Sequence, residues 1–241
     1  MQPKSVSEAV FLTPKVRVAR VNHLRKTILF AVRNPRDVIQ REHVAGRFYE
    51  PEELGIIANH FPLGGQFCDI GANVGNHTLY VAMFLHAERI VLVEPNPDAT
   101  DLLRSNVFLN GLEKVCDLRH LGIGLSDGGA KSGGVSASRK NNLGGARMVE
   151  NEGDIPLITG DALLAGEKFD MIKIDVEGME MKVLNGMENL LRRTKPKLFV
   201  EVDRQNFKAF DDFCATHNYE VLEQFKRYRP NTNFLLGPRL E

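Results

Sequence analysis

The chain has 241 residues, 43% of them hydrophobic, with 31 acidic and 31 basic side chains and no formal net charge. That length suits one large α/β domain and would be cramped for two. Cys68, Cys116 and Cys214 are odd in number and never form a C-x-x-C pair, which argues against a disulfide framework or a zinc site and fits a reducing, cytoplasmic setting.

No apolar run approaches the roughly 18 residues that span a bilayer. Lys15, Arg17, Arg20, Arg25 and Lys26 interrupt any signal pattern at the N-terminus. Charge is unevenly spread: residues 1–50 hold ten basic side chains against four acidic ones. Such an arm can meet nucleic acid or an anionic substrate, but it lacks interleaved aromatics, so a solvated basic face is expected and nucleic acid is not.

Residues 1–26 show no clear periodicity and read as a loose arm, while 27–32 (TILFAV) is a short strand stopped by Asn34-Pro35. Residues 1–45 are thus expected to form a basic extension ahead of a domain over 46–241. Glu50-Pro51-Glu52-Glu53 opens a helix with Glu50 at its cap. Strands are then expected over 67–70, 89–93 and 115–123, with helices over 76–85 and 97–109 between them. Residues 124–153, rich in Gly, Ser and Asn, read as an inserted loop or hairpin, either a substrate lid or a plain surface loop. Asp161 is expected to cap a short helix. A strand over 169–176, a helix over 180–193, a strand over 198–202, a helix over 207–217 and a final strand pair around Arg229-Pro230-Asn231 complete the pattern. This alternation predicts an α/β fold with a mostly parallel sheet, helices on both faces, and ligands at the carboxyl ends of the strands.

The first of those strand ends is the most informative. Phe67-Cys68-Asp69-Ile70 runs into Gly71-Ala72-Asn73-Val74-Gly75, an Asp-x-Gly-x-x-x-Gly turn into a helix. The next strand closes on Glu94-Pro95, where a carboxylate can accept hydrogen bonds from a ribose. The glycine spacing is not that of a dinucleotide fingerprint, and no phosphate loop is present, so the pattern wants a nucleoside without phosphates. S-adenosylmethionine fits, and an NAD-dependent oxidoreductase does not. The cofactor-binding set is Asp69, Gly71, Ala72, Asn73, Gly75, Asn76, Glu94 and Pro95. The bland alternatives are a ligand-free turn at the glycines, a turn residue at Asn73, and a helix cap at Glu94.

The blocks FCDIGANVGNHTL, VLVEPNP, MIKIDVEGMEMKVLNGM and PKLFVEV resemble the FkbM-like family of class I S-adenosylmethionine-dependent methyltransferases. The resemblance runs from about Gly46 to Val202, and the KIDVEG-x-E block is its most specific part. It implies a Rossmann-like class I methyltransferase fold with a seven-stranded sheet. It also implies S-adenosylmethionine as methyl donor and O-methylation of a hydroxyl on a sugar, glycan or natural product.

Strand alternation puts Lys173 and Asp175 on one side of their strand, followed by Glu177-Gly178, where Gly178 can take the positive φ of a sharp turn. In the topology the resemblance implies, Asp69, Asp175, Glu177 and Glu201 converge on one cleft. A hydroxyl is too weakly acidic to be methylated unaided, and clustered carboxylates raise one another's pKa toward a useful base. The expected catalytic set is Asp175 or Glu177 as base, with Glu201 orienting the acceptor. Against this stand readings of Lys173–Asp175 as a structural ion pair, Glu177 as a helix-dipole partner, and His77 as solvated. Asp175, Glu177 and Glu201 offer oxygen ligands for a divalent cation, but no acid/His spacing supports one and none is expected. RNA or protein methylation and a non-catalytic cofactor-binding subunit are the other readings.

Overall fold

Each apolar run that ends on a glycine or a carboxylate becomes a strand, and the four-residue periodicities between them become helices. The computed structural model describes residues 16–136, 141–227 and 230–239; residues 1–15 of the basic arm and Arg229 of the final turn lie outside the described residues. In chain order come β1 (Arg17–His23), β2 (Lys26–Val32), α1 (Gln40–Val44), α2 (Pro51–His60), β3 (Gln66–Ile70), α3 (Asn76–Phe84), β4 (Arg89–Glu94), α4 (Pro97–Leu109) and β5 (Cys116–Leu121). Four short strands follow: β6 (Gly124–Ser126), β7 (Ser132–Val135), β8 (Met148–Glu150) and β9 (Ile155–Thr159). The chain continues through α5 (Gly160–Leu163), β10 (Met171–Ile174), α6 (Glu180–Asn185), α7 (Glu188–Thr194), β11 (Lys197–Asp203), α8 (Phe207–Thr216), β12 (Tyr219–Phe225) and β13 (Asn231–Pro238). Among the described residues, no helix is long and apolar enough to cross a membrane.

The main sheet has seven strands in the order β12-β13-β11-β10-β3-β4-β5. The five from β11 to β5 are parallel, and β13 and β12 are antiparallel, so the sheet is mixed at one edge. Alternation sorts the strand side chains into two cores. Phe67, Ile90, Leu92 and Met171 pack with Leu54, Ile57 and Leu79 of α2 and α3. Cys68, Ile70, Val91, Ile172 and Ile174 pack on the other face with Val183, Leu190 and Phe210 of α6, α7 and α8. The strand order reverses between β3 and β10, which opens a crevice at their carboxyl ends.

Several local expectations are corrected. The arm is ordered from Arg17 onward, because β1 pairs along its whole length with β2. Asn106 of α4 and Asn110 at its C-cap then hydrogen-bond the β2 backbone at Ala31 and Leu29, so the hairpin is part of the packed body. The insertion is a small sheet ordered β6-β9-β7-β8. Its strands hold at most five residues and much glycine, too short for a periodic signal. The helix expected over 180–193 is broken in two. Gly186 sits against the backbone of Ser126, whose oxygen would lie 2.0 Å from an added Cβ.

Asp161 does not cap its own helix; Thr159 does, accepting from the Ala162 amide. The Asp161 carboxylate reaches instead to the start of α7 and accepts from the Asn189 and Leu190 amides, at 3.1 and 2.8 Å. Glu50 makes no capping hydrogen bond to α2 either, because its backbone is left-handed at φ 54°. That turns its carboxylate away from the helix end and toward the crevice.

Candidate active site

The turn after β3 is shaped by packing before any ligand enters. Gly71 has φ 77°, and an added Cβ would lie 1.8 Å from the Asp175 carbonyl oxygen, so only glycine lets the ends of β3 and β10 meet this closely. The Gly71 and Ala72 amides donate to the Val93 carbonyl, which ties the turn to β4. Gly75 starts α3 at φ 87° against Leu103. Asn73 is left-handed, and its amide donates to Glu94 Oε2 at 2.8 Å while the Asn96 amide donates to Glu94 Oε1 at 2.8 Å. Asn96, and not Glu94, caps α4, since its side chain accepts from the Asp98 amide. Burial pushes the Glu94 carboxyl up to about 7 despite those two amide bonds.

This turn forms one wall of a cavity of about 900 Å³. Gly71, Ala72, Asn73, Asn76, Glu94 and Pro95 line it, as do Asp175, Glu177 and Glu201. Two of the expected cofactor residues are not on that wall. Asp69 is fully buried beneath it, accepting from Thr78 Oγ1 at 2.6 Å and facing Lys173 Nζ at 3.2 Å. It therefore supports the turn and does not join the cleft with the other acids. Gly75 is covered by Leu103, and Asn76, though at the wall, spends its side-chain amide holding the Tyr49 backbone.

The opposite wall is acidic. Oxygens of Asp175, Glu177 and Glu201 all lie within 4.8 Å of one another, a spacing at which carboxylates raise each other's pKa or gather round a hard cation. Burial, then the charge and hydrogen bond of Asp175, pushes the Glu201 carboxyl up to about 10. Burial and Asp175 push Glu177 up to about 7. Glu177 holds φ 48°, unusual for a side chain other than glycine, and Gly178 follows at φ 96°. Lys173 stands 3.5 Å from Asp175; burial opposes its charge, but Asp69, Asp175 and Glu50 more than compensate and raise its pKa.

Other lining residues carried no signal of a site in the sequence. Glu50 reads as a helix cap because it precedes Pro51, and nothing local marks its left-handed backbone. His77 is not solvated but buried, with Nε2 facing Glu50 Oε2 at 3.7 Å. Residues 142–148 form the outer wall. The segment is fastened at its start by the Leu143 amide donating to Asp37 Oδ2 at 2.7 Å, and at its end by Arg147 on Asp203 at 3.2 Å.

The model of the Methyltransferase FkbM domain family matches residues 69–229, more than half of the chain. The chain belongs to the FkbM methyltransferase family. Within that family stretch lie the glycine turn, Glu94 and all three clustered carboxylates, whereas Asp37, Glu50 and the hairpin precede it. Over 130 residues the chain is 35% identical to the hexuronic acid methyltransferase AglP of Haloferax volcanii, a match covering 52% of this chain and 50% of that protein. The chain thus spans about half the length of the curated relative it matches. Among solved structures, an FkbM methyltransferase from Methylobacillus flagellatus has a TM-score of 0.52 at 15% identity, covering 73% of this chain and 44% of that one. Trm5 of Methanocaldococcus jannaschii, solved with adenosine, has a TM-score of 0.54 at 15% identity over 94% of this chain and 56% of that one. At such identities the likeness concerns the fold: this FkbM-family chain has the class I methyltransferase architecture.

Proposed function

We propose that the protein is an S-adenosylmethionine-dependent methyltransferase that O-methylates a hydroxyl of a sugar or glycan, with a carboxylate as general base. The observation that carries this is one cavity bounded by the Glu94–Asn73 turn on one side and by Asp175, Glu177 and Glu201 on the other. The donor chemistry suits that cofactor. The cavity's cations are already matched: Lys173 by Asp69 and Asp175, and Arg147 by Asp203, with Arg41 beside Glu42. Cations engaged in this way suit a sulfonium better than a diphosphate. Gly71, Ala72, Asn73 and Glu94 would hold the nucleoside end. When bound, S-adenosylmethionine supplies an electrophilic methyl group.

Glu177 is the best base of the three, because it titrates near neutrality and its strained turn aims it into the cavity. Glu201 keeps its proton at neutral pH and shares it with Asp175, and its carbonyl oxygen accepts from the acceptor hydroxyl and orients it. Asp175, tied to Lys173, holds the negative charge that favours the developing positive charge on the acceptor. AglP acts, by its name, on a hexuronic acid, which offers both hydroxyls and a carboxylate. A general base serves a hydroxyl, whereas a carboxylate is already deprotonated and needs none, which favours a hydroxyl of a sugar as the methylated group. The test is thermal shift with S-adenosylhomocysteine, NAD and NADP, then methyl transfer to uronic acid and neutral glycosides by the Asp175→Asn, Glu177→Gln and Glu201→Gln variants. Stabilisation by NAD alone, or full activity in all three amides, overturns the reading.

A further inference from the structure

Glu50 is a second carboxylate centre that the mechanism above does not use. It lies outside the family-matched stretch, at the start of α2, and the residue after it is Pro51. A left-handed backbone at a residue with a side chain costs about 1–2 kcal/mol, and here no capping bond compensates for it. What the conformation achieves is to place the carboxylate on the cavity wall beside His77. His77 supplies an independent sign of a ligand. Its side chain is only 8% exposed and lines the cavity, and Nε2 has no hydrogen-bond partner among the described residues. Glu50 at 3.7 Å is too far to satisfy it.

The two residues also sit in a definite relation to the turn. Glu94 takes the Asn73 amide, in the middle of the turn, whereas His77 lies in the first helical turn of α3, where the turn exits. Glu94, Glu50 and His77 line the same cavity, so a ligand with its ribose at Glu94 can extend toward this corner. We propose that Glu50 and His77 receive the α-ammonium group of the methionine end of S-adenosylmethionine, an inference that rests on the cofactor reading above.

Both groups have the protonation state this asks for. Burial and then the charge of Lys173 lower the His77 pKa to about 4, so its ring is uncharged and can accept from the ammonium without repelling it. Burial and Asp175 raise Glu50 to about 8, so the empty site holds a neutral carboxyl. The groups facing it are Asp175 and Lys173 from β10 and its exit, Glu53 from α2, Arg227 after β12, His77 from α3 and Glu201 from β11. Arg227 is already paired with Glu52 and Glu53, so it offsets only part of the burial of Glu50. When an ammonium arrives, the Glu50 O–H bond ionises, the proton goes to solvent, and a carboxylate–ammonium pair forms.

Isothermal titration calorimetry tests this without any acceptor. S-adenosylhomocysteine, which keeps the amino acid, is titrated into wild type and Glu50→Gln at pH 7 in phosphate and in Tris. The difference in heat between the two buffers counts the protons released. Wild type is expected to release a proton on binding that Glu50→Gln does not release, and the variant to bind on the order of tenfold more weakly or worse. 5′-Methylthioadenosine, which lacks the ammonium, should bind both proteins alike, and Glu50→Asp should restore proton release. Equal affinity and equal proton release in wild type and Glu50→Gln would overturn the assignment. So would a parallel loss of methylthioadenosine binding, which would make Glu50 a residue of the fold alone. If wild type binds neither nucleoside, the cofactor reading itself fails, and this inference with it.

Discussion

Lys173 Nζ lies 3.2 Å from Asp69 Oδ1, between adjacent parallel strands and beyond the reach of solvent. The same ammonium donates to the Gly71 carbonyl at 3.1 Å and stands 3.5 Å from Asp175. One buried cation thus joins the cofactor turn to the acidic wall.

Removing it should be costly. Lys173→Met leaves Asp69 buried and unpaired, which predicts a loss of about 3–5 kcal/mol in urea unfolding. The double variant Asp69→Asn/Lys173→Met should lose less than the Lys173→Met single variant, since the stranded charge is gone. Additive losses in the cycle would show that the two do not act as a pair.

Glycine substitutions separate conformation from contact. Gly111→Ala, at φ 66° with nothing within 4 Å, should cost only the left-handed strain, about 1–2 kcal/mol. Gly71→Ala adds a collision with the Asp175 carbonyl, for a total of about 2–5 kcal/mol. It should also abolish S-adenosylhomocysteine binding, because the two cavity walls are forced apart.

The base assignment predicts an acidic limb in the pH–rate profile. With Glu177 pushed up to about 7, kcat/KM for the acceptor at saturating S-adenosylmethionine should fall about tenfold per pH unit below that point, since only the carboxylate can take a proton. Glu177→Gln should lose that limb and on the order of 10²–10⁴ in kcat. A limb that persists in the variant assigns the base elsewhere.

Glu201 predicts a stability effect of opposite direction. Its folded carboxyl keeps a proton to about 10, whereas the ordinary value is 4.5. Between those values the unfolded chain binds fewer protons than the folded one, so this residue's contribution to stability falls as pH rises. Glu201→Gln escapes that loss. Its Tm should exceed wild type by a margin that widens from pH 5 to pH 8, while activity drops.

Asp37 holds the outer wall. It is 1% exposed and accepts from the Ile39, Gln40 and Leu143 amides. Asp37→Ala leaves those donors without their acceptor, at a cost of about 1–3 kcal/mol. Hydrogen exchange should accelerate in residues 141–147 before the main sheet is affected; exchange rising uniformly would contradict a local latch.

Much of this protein is legible in its sequence because the signals are local. Short apolar runs located the five parallel strands, and Pro97 marked the start of α4. The Asp-x-Gly-x-x-x-Gly and KIDVEG-x-E blocks indicated the family and the strand ends that carry the site. Even the facing of Lys173 and Asp175 to one side follows from a two-residue period. The short strands of residues 124–159 were not legible, because three to five residues with several glycines carry no period.

What only the tertiary structure decided is which charges meet. Asp69 looks like a cofactor ligand until Lys173, 104 positions away, turns out to be its register neighbour in the sheet. Asp161 looks like a cap for its own helix until α7 packs within reach. Glu50 looks like a cap until its backbone turns it toward His77. Propensity and burial period act over a few residues and are written in the local sequence. A carboxylate's role depends on the solvent and partners around it, and those are brought together only when distant segments pack.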